Sequence, residues 1–197
     1  MTNIHSLNQT VTKCHQLVLN LNQLITNCEQ LETNCQRLKE LVEMQRRKGA
    51  DVTKEYLYNA TPNEGSINYE QGYKKEAHSD EIDMAMLLLE TFGGDITLLA
   101  EKPEGYMLKR PDYIWNNKKW ELKSAGSAKS IDSLLRKAFQ QIHDNPGGVI
   151  VDMGNCKDSI SRIESAVEER VRKSCRFKID VIIIRNASVE KIVRYMR

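Results

Sequence analysis

Pro111-Asp112-Tyr113-Ile114-Trp115-Asn116-Asn117-Lys118-Lys119-Trp120-Glu121-Leu122-Lys123 is the stretch on which the fold turns. Two runs rich in aromatic and branched residues flank an Asn-Asn pair that accepts the positive φ angles of a tight primed turn, so the stretch predicts a β-hairpin. With Asn116 and Asn117 in the turn, Trp115 pairs with Lys118, Tyr113 with Trp120 and Asp112 with Glu121. Period-2 alternation sends Trp120 and Leu122 to one face, Glu121 and Lys123 to the other. Two acids then oppose each other with Cβ atoms about 4.5 to 5.5 Å apart, which is destabilising unless something intervenes. A hard divalent cation held through carboxylate oxygens is one relief; with a lysine to orient water or offset phosphate charge, it makes a set suited to phosphodiester hydrolysis. A solvated hairpin face whose acids are relieved by Lys119 and Lys123 is the other.

Upstream, Ser79 caps a helix predicted over 80–92, with Asp80, Glu81 and Asp83 in its first turn and Gly93-Gly94 at its end. Glu81 shares a stripe with Ala85, Leu88 and Phe92 and is expected to aim inward, where a carboxylate needs a partner. A plain complement to the helix dipole is the alternative role. A short strand over 96–100 follows, and Lys102-Pro103-Glu104-Gly105 turns the chain toward the hairpin.

Downstream, Ser124-Ala125-Gly126-Ser127-Ala128 is a small-residue loop that admits a phosphate close to the backbone. Ser130 caps a helix through His143, with Ile131, Leu135, Ala138 and Ile142 buried and Gln141 bordering the buried side. Arg136 and Lys137, with Lys119, form a local basic patch for nucleic acid, or serve solubility alone. Asn145-Pro146-Gly147-Gly148 breaks the chain before a central strand over 149–151. An amphipathic helix over 159–173, a continuous apolar strand over 179–184 and a closing, edge-like strand over 189–195 complete the order. Helix, three strands, helix, strand, helix, two strands predicts an α/β fold with a mixed β-sheet flanked by helices over 79–197.

Ahead of that domain, 1–48 predicts a coiled-coil-like helix. Ile4, Leu7, Val11, Cys14, Val18, Leu21, Ile25 and Cys28 step alternately by three and four, and Leu31, Cys35, Leu38 and Val42 resume after a skipped residue that overwinds the coil. Its flanks are Asn, Gln and Thr. Homo-oligomerisation through 4–42, or packing of a single helix onto the domain, are the two expectations. Residues 49–78 read as a linker with one short helix, its tyrosines either pinning a loop to the core or stacking bases.

A formal net charge of +2 over 197 residues, with 28% charged, sets up no global field for nucleic acid or membrane. No apolar run approaches the ~20 residues of a spanning helix, and the N-terminus lacks a secretory profile. Cytoplasmic residence, or delivery without a recognisable N-terminal signal, is the expectation. Five cysteines without a Cys-x-x-Cys pair indicate neither a disulfide framework nor a zinc site.

A helix bearing Glu81, a meander ending in Pro111-Asp112 and Glu121-x-Lys123, then a helix and a strand, resembles the PD-(D/E)xK nuclease superfamily. More narrowly, residues 51–197 resemble the CdiA-type C-terminal tRNase domain of contact-dependent toxins, also appended to some phage head proteins. Phe92-Gly93-Gly94-Asp95-Ile96, Pro111-Asp112-Tyr113, Trp120-Glu121-Leu122-Lys123 and Asn145-Pro146-Gly147-Gly148 carry the likeness. The resemblance implies cleavage of RNA, tRNA in particular, with Mg²⁺ or a related cation such as Mn²⁺, and a cognate immunity protein as partner. It implies Asp112, Glu121 and Glu81 as metal ligands, Lys123 as the catalytic lysine and Gln141 as a polar helix residue of the site. A DNA endonuclease on the same scaffold and a non-enzymatic nucleic-acid-binding assembly protein are the competing readings.

Overall fold

Forty-six residues free of glycine and proline form one helix, α1 (Thr2–Arg47). The computed structural model describes residues 2–47, 49–101, 110–175 and 177–196, and the side chains of α1 from 11 to 41. The chain divides into two units, Met1–Gln45 and Arg46–Arg197. Every described α1 side chain is exposed.

The second unit is an eight-stranded mixed sheet with helices against both faces. Its elements are β1 (Ala50–Asp51), α2 (Thr53–Tyr58), β2 (Ile67–Tyr69), α3 (Ser79–Phe92), β3 (Ile96–Leu98), β4 (Tyr113–Trp115), β5 (Lys118–Ser124), α4 (Ala128–Ile142), β6 (Pro146–Asp152), α5 (Ile160–Ser174), β7 (Ile179–Arg185) and β8 (Ser188–Tyr195). Across the sheet the order is β1-β8-β7-β6-β5-β4-β3-β2. The middle strands β5, β6 and β7 are parallel, joined by α4 and α5, while β4–β5 and β7–β8 are antiparallel hairpins.

Alternation along the strands sorts two cores. Val149, Val151, Val181 and Ile183 pack with Ile131, Leu135, Ile163 and Val167 of α4 and α5. Trp120, Leu122, Ile150 and Ile182 pack with Ala85, Leu88 and Phe92 of α3. Each fully buried aliphatic side chain contributes about 1.5 to 3 kcal/mol, which anchors β6 and β7 between both layers.

The expected hairpin forms in the expected register, Trp115 opposite Lys118 and Tyr113 opposite Trp120, and Asn116 and Asn117 take φ of 48° and 60°. The strand order of 79–197 is as read. Residues 49–78, read as a linker, are instead built into the sheet: β1 pairs with β8 and β2 with β3. Their periodicity is faint because β1 and β2 span only two and three residues. Tyr56, Tyr69 and Tyr73 do the pinning, with Tyr56 edge-on to Phe92 at 5.6 Å, while Tyr58 is exposed. As a result β8, expected at the edge, has β1 outside it.

The helix boundaries shift for local reasons. α3 starts at Ser79 after His78 with no side-chain cap. α4 starts at Ala128 rather than after Ser130, because Asp158 from a later loop accepts the Ala128 N–H at 2.8 Å. Pro146, Gly147 and Gly148, read as a break, are the first residues of β6. A Cβ on Gly148 would lie 2.2 Å from both the Trp120 ring and the Asp180 carbonyl oxygen, so only glycine passes there. The turn expected at 102–105 lies outside the described residues.

Candidate active site

β5 is the rail on which the site is built. Because Trp120 and Leu122 are anchored among α3 and β4 residues, Glu121 and Lys123 must turn to the opposite face. Glu121 is fully buried, at 0% exposure. Lys123 Nζ donates to Glu121 Oε1, and Glu121 Oε2 has no hydrogen-bond partner. An unpartnered oxygen on a buried carboxylate costs about 1 to 3 kcal/mol or more, a cost that a ligand binding there would offset.

Asp112 reaches the same place from the neighbouring strand. It lies one residue before β4, and its Oδ2 accepts the Leu122 N–H at 2.7 Å, which fixes it beside Glu121. Burial raises the Asp112 carboxyl from 3.8 to about 6, against the pull of Lys123 and the Leu122 N–H, with the Glu81 charge adding to the rise. Glu121 is raised further, from 4.5 to about 8, by burial first and the Asp112 charge second, with Lys123 opposing. Two acids, one amine and one vacant acceptor oxygen thus converge.

Glu81 enters from the first turn of α3, where it is held by two groups: Tyr73 donates to Oε2 at 2.9 Å and His78 Nδ1 lies 3.0 Å from Oε1. The Tyr113 hydroxyl donates to the Glu81 carbonyl at 2.9 Å, tying this turn to β4. The inward aim is as expected, and the partners are a phenol and an imidazole. Among the described residues no group of three or more His, Cys, Asp or Glu side chains is gathered closely enough to hold a metal ion. The Asp112–Glu121 pair is the cluster that stands, with Glu81 acting on it through its field.

Gln141 points toward the site but through the backbone, its Nε2 donating to the Arg110 carbonyl at 2.7 Å. Arg110 in turn makes a two-pronged pair with Glu70 at 2.8 and 2.9 Å, and Glu70 Oε2 also accepts the Ala100 N–H at 2.9 Å. Glu70, Arg110 and Gln141 therefore clamp the residues directly ahead of Asp112. Sequence reasoning missed Glu70 and Arg110 because they lie 40 residues apart, and Tyr73 and His78 because their hold on Glu81 depends on the path of the loop ahead of α3. An arginine immediately before the Pro-Asp step was the one visible signal.

The basic patch is divided. Lys119 is paired with Asp144 at 2.5 Å, whereas Arg136 and Lys137 are exposed on α4. Lys137 lies one helical turn before Gln141, on the stripe that faces Arg110. The small-residue loop after Lys123 borders an open cleft of about 650 Å³ with Asp152 and Asp158 on its wall. Since Asp158 already caps α4, the backbone there is committed to a carboxylate rather than open to a phosphate. A second cavity, about 480 Å³ between Trp120, Lys178 and Arg194, holds none of the expected site residues.

No protein-family model matches the chain, and no curated protein matches it. A solved structure, that of the CdiA-CT/CdiI toxin and immunity complex from Burkholderia pseudomallei, is similar to it at 16% identity, over 64% of this chain and 98% of that one, with a TM-score of 0.41. At that degree of overlap no residue role passes from one chain to the other. No helix among the described residues is long and apolar enough to cross a membrane.

Proposed function

We propose that Arg46–Arg197 is a metal-dependent ribonuclease domain of the toxin-effector type, with tRNA as its substrate class. The observation that carries the chemistry is Glu121, a wholly buried carboxylate with one oxygen unsatisfied beside a second raised acid. Asp112 and Glu121 would hold the ion, and two carboxylates fit a magnesium-like cation, which usually keeps several waters instead of an all-protein cage. When bound, such a cation supplies Lewis acidity toward a phosphate oxygen and a water.

The chain's own groups do the rest. Leu122 N–H fixes one Asp112 oxygen and so directs the other. Lys123, now bonded to Glu121, exchanges that bond for one to the attacking water or a phosphate oxygen, where its charge matches the charge that develops. Glu81, steered by Tyr73 and His78, keeps the local field negative and favours cation entry. The choice of RNA, the toxin role and a neutralising protein partner rest on the sequence resemblance across Phe92-Gly93-Gly94, Pro111-Asp112 and Trp120-Glu121-Leu122-Lys123.

Purified protein incubated with total tRNA and with plasmid, each with magnesium and with EDTA, tests the reading. EDTA-sensitive loss of tRNA with intact plasmid is expected, and Asp112→Ala and Lys123→Ala are each expected to lower the rate by at least a hundredfold while the domain still melts cooperatively. Plasmid cleavage alone would replace RNA by DNA as substrate. Undiminished cleavage in both variants would reject the site.

A further inference from the structure

In α1, Leu17, Leu24, Leu31 and Leu38 recur at every seventh residue, and three positions before each stand Cys14, Leu21, Cys28 and Cys35. That is one uninterrupted a/d frame on one uninterrupted helix, with leucine at every d position from 17 to 38. The skip expected after Cys28 disappears in this frame; what changes there is the flank. The residue after each leucine is Val18, Ile25, Glu32 and Lys39 in turn, so the apolar face is broad at the N-terminal end and narrow, edged by charge, at the other. The four leucines are 60–65% exposed, and Val11, Val18, Leu21 and Ile25 exceed half exposure. Four heptads of leucine alternating with cysteine or leucine on one side of a helix are far more than scattered surface hydrophobics.

We propose that this face is covered by other copies of the same chain, in a parallel, in-register coiled coil. Selection of a foreign helix relies on charged flanks, and here the residues before the a positions are Lys13, Asn20, Asn27 and Asn34, almost without charge. Lys13, Arg37 and Lys39 balance Glu29, Glu32 and Glu40 over 11–41, so copies do not repel. Orientation follows from the flanks. In an antiparallel pair Val18 would lie beside Glu32 and Val11 beside Lys39, setting apolar edges against charges, whereas a parallel pair matches broad face with broad face. Parallel register also brings Cys14, Cys28 and Cys35, all exposed and unbridged in the single chain, each opposite its own copy.

Full-length chains that keep one α1 cysteine at a time, with Cys156 replaced by serine, test both partner and direction under mild oxidation. Chains keeping only Cys14 and chains keeping only Cys35 are each expected to form covalent dimers on a non-reducing gel, and light scattering of the reduced wild type is expected to give a multiple of the chain mass. Leu24→Lys with Leu31→Lys changes exposed positions only and is expected to return the monomer mass with the domain's melting unchanged. A monomer mass for wild type at tens of micromolar overturns the proposal. So does a Cys14–Cys35 link formed on mixing the two single-cysteine chains when neither links to itself, which is the antiparallel result. Ribonuclease activity enters none of these readouts.

Discussion

A carboxyl moved from water to the position of Glu121 keeps its proton to about pH 8, and Asp112 beside it to about 6, against ordinary values of 4.5 and 3.8. Since the folded state holds these protons more tightly than the unfolded chain, the pair's contribution is greatest below the ordinary values and is lost as pH rises through about 8. Denaturant unfolding in EDTA is therefore expected to show the domain losing a few kcal/mol between about pH 5 and pH 8, at roughly 1.4 kcal/mol for each pKa unit. Glu121→Gln is expected to flatten that slope while abolishing cleavage, and a slope unchanged by the substitution would mean the carboxyl sits in water. A cation must displace the same protons, so its apparent affinity is expected to rise with pH up to about 8 in a calorimetric titration. The convergence of Asp112, Glu121 and Lys123 was legible in the sequence because a two-residue turn and a period of two fix it. The hold of Tyr73 and His78 on Glu81 was not, since it depends on how a loop returns over the start of α3.

At the scale of elements, the clamp on the approach to Asp112 joins three segments: Glu70 just past β2, Arg110 ahead of β4, and Gln141 in the last turn of α4. Arg110→Ala leaves the cores intact and breaks a pair about one-third exposed, so a stability change under about 1 kcal/mol is expected. Turnover is expected to fall ten- to a hundredfold through misplacement of Asp112, roughly what an ångström of displacement costs. Equal loss of stability and rate, measured by melting and by tRNA cleavage, would make the pair merely structural. The close passage of β6 over Trp120 makes the opposite forecast: Gly148→Ala, whose added carbon points to the Trp120 face and away from the acids, is expected to destabilise by at least about 1 to 3 kcal/mol, since that carbon meets a buried ring and a backbone oxygen that cannot both move. Long elements with strong periods, α3, α4, α5, β7 and β8, were readable from pattern, and the three-residue β4 was readable from the Asn116-Asn117 turn that joins it to β5. β1 and β2 were not, because two or three residues carry no period and their strand character comes from the neighbours they join.

For the molecule as a whole, the division after Gln45 predicts that a fragment starting at residue 46 melts with the same midpoint as the full chain, checked by calorimetry at low concentration. A midpoint lowered by several degrees would show that the helix supports the domain. Within the domain the first and last strands are stitched together: Ala50 opposes Arg194 across β1 and β8, Val52 N–H donates to Ile192 O at 2.9 Å, and Arg194 spans Glu55 and Asp180, which also accepts the Tyr56 hydroxyl at 2.7 Å. Such a domain has, in effect, no loose thread. Its two ends leave from one sheet margin, so joining them through a short peptide and opening the chain at the Asn186-Ala187 turn gives a circular permutant that keeps every strand neighbour, and cargo fused at either end departs from the same side.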